Sequence, residues 1–288
     1  MAVRCEGPIA FTDIATEYKG NKPLHLSQYY RGKSLVPDAP SNAKIATTGA
    51  IAFSQFYCSA NQVIKHISSS VVNGTSADAW FTPGERQASC ILIVNAGVYV
   101  TGHGGADRHG GGNGNPGGTG MMVNMGYFPG GLTIEVFGHV WGGGGGGASG
   151  RFRHSYSGGN GGTGIVLSNG TLKLKVHAGG SVIGGGGGGG SSREDKNDGG
   201  GGGQPYGGRG TGEYYSGAGR GSLHGPGHGS NYQWRSCRTH GRGEERTCHN
   251  HHNYSGAGGA VGHHGAGGNH GSSGGRAGAA TAGSIQWL

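Results

Sequence analysis

The chain opens with a short pattern of apolar and polar positions that occurs twice. Residues 7–14 read GPIAFTDI and residues 49–56 read GAIAFSQF. Each is Gly, any residue, Ile-Ala-Phe, a hydroxyl residue, any residue, then a bulky apolar residue. The Ile and Phe two positions apart share one face of a short extended segment. Thr12 or Ser54 then stands where a helical turn takes its cap. Between the copies, PLHLSQYYRGKSLVP repeats the theme with Leu24, Leu26 and a capping Ser27, and Gly32 can stop the turn. The pattern predicts a small module of short strands and helical turns over residues 1–58.

Residues 63–67, 79–81, 89–94 and 98–101 are β-rich runs. They are separated by Asn-Gly, Pro-Gly and Ala-Gly turn signals. After Gly102 a longer repeat begins. GGTG at 117–120 leads to LTIEV at 132–136 and a run of six glycines at 142–147. GGTG at 161–164 leads to LKLKV at 172–176 and seven glycines at 184–190. Both five-residue runs alternate, as half-buried strands do. A repeat near 40 residues predicts a stacked, quasi-one-dimensional body. Beyond residue 190, glycine tracts alternate with polar and aromatic islands. The chain closes on Ser-Ile-Gln-Trp-Leu, a short apolar end suited to docking on the head or on a partner.

Composition sharpens this division. Glycine supplies 72 of the 288 residues, yet only six fall within 1–96. Glycine costs about 1 kcal/mol per helix position relative to alanine, which excludes a helical body. No strict triplet frame exists, which excludes collagen. No apolar run approaches the length of a membrane span, and the N-terminus lacks the apolar core of a secretory signal. The expected fold class is mainly β and irregular: an attachment module (1–58), β-rich repeats grading into a glycine body (59–183), and a glycine-rich bundle with variable surface loops (184–288).

Two states can accommodate such tracts. Glycine-rich polar segments behave as flexible linkers. Alternatively, each tract is a threefold left-handed polyglycine II helix, rising about 3.1 Å per residue and paired to its neighbours through backbone hydrogen bonds. The second state requires bulky residues to stay in the islands. That is where Trp234 and Tyr156, Tyr206, Tyr214, Tyr215, Tyr232 and Tyr254 lie.

The head motif, GPIAFTDI…LHLSQYYRG…TTGAIAFSQFY, resembles an N-terminal segment of bacteriophage tail and receptor-binding proteins. The body, with VYVTGHGG, GGNGGTG and its polyglycine runs, is similar to the receptor-recognising adhesins at the tips of T-even-type long tail fibres. Together they cover most of the chain. The resemblance implies a virion tail component assembled in the host cytoplasm. It implies an N-terminal module bound to other tail or baseplate proteins, and loops on a polyglycine II scaffold that contact a bacterial surface polysaccharide or outer-membrane protein. The chain departs from the family in its five cysteines, 16 histidines and the long island 222–254. A structural baseplate, tail-tip or fibre-connector role is the alternative.

Net charge is +8, which suits anionic partners or simple solubility. Arginines and aromatics interleave in the islands, and these are the expected receptor-binding residues: Arg151, Arg153, Tyr156, Tyr206, Tyr214, Tyr215, Arg220, Tyr232, Trp234, Arg235, Arg238, Arg242 and Arg246. Aromatic rings stack on sugars, and guanidinium forks hold carboxylates or phosphates. The Arg-Gly pairs are scattered, unlike an RNA-binding segment, and no nucleic acid or membrane insertion is expected. Cysteines are odd in number, and without a signal segment disulfides are not the default. Cys237 and Cys248 flank one island and are expected to pair. The competing readings are a metal: His249 and His251 from three chains in an octahedral site, or the two cysteines with two histidines around zinc. No cofactor is otherwise expected. With 14 carboxylates and no nucleophile elbow, the chain is not expected to be an enzyme.

Overall fold

The computed structural model describes residues 2–20, 25–33, 35–151, 154–192, 199–211, 218–229, 231–239, 246–268 and 272–288. The N-terminal repeat folds three times into the same device. It gives helix α1 (Phe11–Glu17) and the 3-10 turns Leu26–Tyr29 and Phe53–Phe56. In each, the fourth residue from the cap returns its N–H to the cap carbonyl: Asp13 to Ala10, Gln28 to His25, Gln55 to Ala52. The expected hydroxyl caps and the preceding strands are corrected here. The turns begin at the apolar residue itself, because the Asp13 carboxylate and Gln55 carboxamide accept from the N–H of Ala10 and Ala52 (2.9 and 3.1 Å). That is the reach-back half of a capping box, and it needs no hydroxyl at the cap.

Each turn then aims its last bulky residue inward. Ile14, Tyr29 and Phe56 are buried with Tyr18, Val36 and Ile45 in a core of their own. Phe11 meets Tyr29 edge-on at 5.1 Å, and Phe53 stacks on Phe11 at 5.9 Å. A disulfide that the sequence did not single out closes the module. Residues 2–4 pair with 58–60 through Val3 N–H to Ser59 O (2.9 Å), which brings Cys5 and Cys58 to a Cα separation of 4.5 Å and bonds them.

The β-rich segment winds as a parallel solenoid. Its first turn holds β1 (Gln62–Ile67) and β2 (Thr75–Ser76). The second holds β3 (Ser89–Val94), β4 (Tyr99–Thr101) and β5 (Met121–Asn124). The third holds β6 (Leu132–Val136), β7 (His139–Trp141) and β8 (Ile165–Ser168). The fourth begins with β9 (Leu172–Val176) and β10 (Ser181–Ile183). It leaves for a long excursion that includes the antiparallel hairpin β11 (Asn231–Thr239) and β12 (Arg246–Tyr254), and returns as β13 (Thr281–Ala282). Then β14 (Ile285–Trp287) starts a fifth turn.

Corresponding strands stack into three parallel sheets, ordered β1-β3-β6-β9-β14, β4-β7-β10 and β2-β5-β8-β13. The chain end thus docks as a solenoid rung on β9, not on the head. The run 79–81 is also corrected. It joins a 3-10 turn, Ala77–Trp80, which delivers Ala77 and Phe81 to the core four residues apart.

Alternation explains the solenoid core. Leu92, Ile134 and Leu174 are aligned in successive strands and all are fully buried. Burying each such side chain contributes about 1.5–3 kcal/mol.

Turns two, three and four each depart between the second and third sheets, over 102–120, 142–164 and 184–280, and these departures hold the glycine tracts. Their hydrogen bonds have a period of three. Gly143 and Gly146 donate to Gly118 and Asn115; Gly144 and Gly147 donate to Pro205 and Gly208; Gly145 and Ala148 donate to Gly186 and Gly189. Successive residues of one tract therefore address three different neighbours. Tract 184–190 does the same, donating to Gly162 and Gly159, to Gln204 and Gly201, and to His263 and Ala266. It accepts from three further segments, through Gly145, Gly275 and Gly259. Six neighbours surround it.

Only glycine permits this spacing. A Cβ on Gly147 would stand 2.5 Å from the Gly200 carbonyl carbon, far inside carbon–carbon contact.

Candidate functional site

The hydrogen-bond registers fix the direction of every tract. Tract 142–149 leaves the solenoid, and 184–191, 205–208 and 263–266 run parallel to it; 115–118, 159–162 and 201–204 run back. The bundle therefore has a solenoid end and a distal end. At the distal end the structure describes the connection 107–112 and residues 150–151 and 154–156, with the hairpin β11–β12 between an outgoing and a returning tract. The connections 193–198, 212–217 and 269–271 lie outside the described residues.

A layer of serine hydroxyls closes the distal end beneath these connections. Ser149, Ser191 and Ser192 are fully buried, and Ser255 is nearly so. Ser149 Oγ donates to Thr211 O (2.6 Å) and accepts from Gly111 N–H (3.0 Å). Ser191 Oγ accepts from Tyr156 N–H at 2.9 Å, and Ser255 Oγ donates to Gly199 O at 2.6 Å. Backbone groups that run out of tract partners are thereby satisfied.

Two tips pack together above this layer. The turn 110–112 consists of three glycines at φ +74°, +84° and +147°, a conformation side chains rarely adopt. It pairs with Ser149 in both directions, at 2.9 and 3.0 Å. Arg151 lies against Gly111, and the Arg108 guanidinium lies against Gly112. Arg108 is held by its own N–H to Arg209 O and by Thr211 N–H to its carbonyl. His109 Nδ1 is 3.1 Å from Thr211 Oγ1. His154 N–H closes a tight turn onto Arg151 O, and its ring tilts beside Tyr156 with centroids 6.2 Å apart.

The expected receptor-binding residues are distributed unevenly. Arg151 is exposed at the distal tip and Tyr156 is half-buried beside it. Arg220 is on the flank, where its Nε donates to Asp107 Oδ1 at 3.0 Å and its terminal nitrogen pairs with Oδ2. That hydrogen bond, with the Arg209 N–H behind it, outweighs burial and holds the Asp107 carboxyl below the usual carboxylate range. Tyr206 sits at the opposite end, in the turn after the Gln204–Pro205 peptide, at φ +58° with its carbonyl against Gly104. The structure does not bring it to the distal tips. Tyr232, Trp234, Arg235, Arg238 and Arg246 lie along the hairpin strands. Arg153, Tyr214, Tyr215 and Arg242 fall outside the described residues.

The hairpin register pairs Cys237 with Cys248, Ser236 with His249 and Trp234 with His251. Among the described residues no group of three His, Cys, Asp or Glu stands close enough to hold a metal.

Arg108, His109 and His154 were not among the expected residues. The DRHGGG island is short and free of Phe, Tyr and Trp, and His154 stands among the arginines and Tyr156 of RFRHSYS. Their one sequence signal is position between two glycine tracts.

Residues 40–173 match the model of a family described as phage tail fibre adhesin Gp38. The whole chain is similar in fold to a solved structure, the gp37-gp38 adhesin tip complex of the bacteriophage S16 long tail fiber. The likeness covers 100% of this chain and 96% of that one, with a TM-score of 0.57 at 20% identity. No curated protein matches the chain. No helix among the described residues is long and apolar enough to cross a membrane.

Proposed function

We infer that this chain is a phage tail-fibre adhesin of the Gp38 kind, whose glycine bundle presents its distal connections to the surface of a bacterial host. The single observation that carries the reading is polarity. Every tract assigned a direction runs along one axis, so the connections collect at two opposite ends. One end is occupied by the solenoid, and the other carries exposed arginine and histidine side chains with Tyr156 half-buried beside them.

We further propose that the tracts are polyglycine II helices. Support comes from the period of three in their hydrogen bonds and the six neighbours of tract 184–190. At about 3.1 Å per residue, the outgoing tract 142–149 would span about 25 Å. A rigid rod of that length keeps the tips in place, so little conformational entropy is lost on contact. Several copies per particle would add avidity.

The N-terminal module is the proposed attachment site for other tail proteins. Its three equivalent turns leave Leu26 and Phe53 exposed at their first positions, 46% and 41%, with Phe11 half-buried between. Such apolar positions suit a protein partner. Binding, with no catalysis, is the proposed activity, in a virion assembled in the host cytoplasm. A Cys237–Cys248 disulfide across the hairpin is the proposed state of that pair.

The test is binding of fluorescently labelled protein to cells of a susceptible strain. An Arg151→Ala/Tyr156→Ala variant should lose most binding. Tyr206→Ala, at the solenoid end, should keep it. Equal effects at both ends would refute the polarity of recognition.

A further inference from the structure

We propose that Arg108 and Arg151 together form an anion clamp, built to hold the phosphate or carboxylate of an acidic surface polysaccharide. This rests on the adhesin reading and names the chemistry of its distal end.

Three observations carry it. First, the two arginines come from different solenoid turns yet are seated on consecutive residues of one glycine turn. The Arg151 Cβ is 2.8 Å from where a Cβ on Gly111 would stand, and the Arg108 Nε is 2.8 Å from where one on Gly112 would stand. Consecutive Cα atoms are about 3.8 Å apart, so the Arg151 stem and the Arg108 guanidinium are seated on one small turn.

Second, neither arginine has an ion-pair partner among the described residues. The nearest acid in sequence, Asp107, is engaged by Arg220 and by the Arg209 N–H, at 3.0 and 2.9 Å. Both arginines are exposed, so the forks are open to a ligand.

Third, the seat is fixed. The Arg108 backbone is bonded on both sides, to Arg209 O (3.0 Å) and from Thr211 N–H (2.9 Å). Arg151 is held by the His154 turn, and the glycine turn by two bonds with Ser149. The backbones that carry both arginines are thus fixed, and guanidinium forks suit bidentate anion binding. His154 and Tyr156 beside Arg151 offer ring faces to a sugar, which favours an acidic glycan over an acidic protein loop.

The experiment uses the full chain and three forms: wild type, Arg108→Gln/Arg151→Gln, and Gly111→Ala. The last keeps both charges but puts a Cβ where the Arg151 stem lies. Binding is measured to intact cells and to vesicles carrying lipopolysaccharide from the same strain. The vesicles are tested before and after chemical removal of phosphate, and before and after carboxyl esterification. Both variants should bind vesicles and cells at least tenfold more weakly at low salt, with circular dichroism unchanged. Sensitivity to dephosphorylation would assign a phosphate, and sensitivity to esterification a carboxylate. Wild-type binding that survives both treatments but is lost on protease shaving of the cells would overturn the proposal in favour of a protein receptor. Variants that bind cells like wild type would overturn the clamp and leave the adhesin reading standing. Wild type that ignores cells but still binds anionic vesicles through these arginines would support the clamp and remove the adhesin reading.

Discussion

Gly188→Ala is the sharpest single perturbation of the bundle. Gly188 lies inside tract 184–190, donating to Gly159 O and accepting from Gly275 N–H at 2.8 and 2.7 Å. An added Cβ would stand 2.5 Å from the Gly146 carbonyl carbon, with the carbonyl oxygen nearer still. Carbon–carbon contacts settle near 3.5–4.0 Å, so the two tracts must separate by about 1 Å. The bonds joining them, Gly145 N–H to Gly186 O and Ala148 N–H to Gly189 O, are 2.8 and 3.0 Å long. Lengthened by that much, both leave hydrogen-bonding range. Two buried pairs unmade leave four groups unsatisfied, which at about 1–3 kcal/mol each puts the cost at no less than about 4 kcal/mol. The control is Gly225→Ala, where an added Cβ meets nothing within 4 Å; it should change stability by less than about 0.5 kcal/mol. Guanidinium denaturation of both variants, followed by far-UV circular dichroism, makes the comparison. Midpoints shifted equally in the two variants would refute close tract packing.

Other outcomes follow from the rest of the molecule. Cys5→Ser/Cys58→Ser opens a loop of sequence separation 53, which chain entropy values at up to about 4 kcal/mol; melting of the N-terminal module should fall while the solenoid transition stays in place. Burial pushes the Glu85 carboxyl up, but the Lys65 ammonium at 2.8 Å and the Thr82 N–H outweigh it, and the folded group titrates below its ordinary 4.5. A depressed carboxylate stabilises the fold above its unfolded pKa and loses that contribution as pH falls through the folded value. Acid unfolding below about pH 4.5 should therefore be flatter in Glu85→Gln, and an unchanged acid profile would count against the pair. Burial, with the Glu85 charge adding to it, drives the Cys90 thiol up to about 12. Alkylation at pH 8 should therefore leave Cys90 unmodified in the native protein and label it after denaturation, read by peptide mass spectrometry.

Parts of this architecture were legible because they obey a simple period. LTIEV and LKLKV alternate, and they became neighbouring strands β6 and β9 in register. The island that holds Arg151 and Tyr156 was legible because bulky residues have no place within the glycine tracts. Other features were hidden for physical reasons. Strands β2 and β13 are two residues long, too short for any alternation, so the third side of the solenoid was not legible at its two ends. The caps were misplaced because the reach-back residues, Asp13 and Gln55, occupied a position the repeat treated as free. Tyr206 was grouped with the distal islands because composition does not record direction. Neighbouring tracts run in opposite directions, and tract 201–204, which runs back toward the solenoid, leads directly to Tyr206. The Arg108 tip was passed over because its partner, Arg151, is brought to it by stacking of solenoid turns.

Rigid presentation of the distal tips requires the glycine tracts to form a hydrogen-bonded scaffold, and amide hydrogen exchange across residues 142–149, 184–190 and 199–204 measures this. Slow exchange in all three tracts, comparable to β3 and β6, is the predicted result. Uniformly fast exchange there, with the solenoid strands protected, would mean that the tracts are linkers and would contradict the rigid presentation of the distal tips.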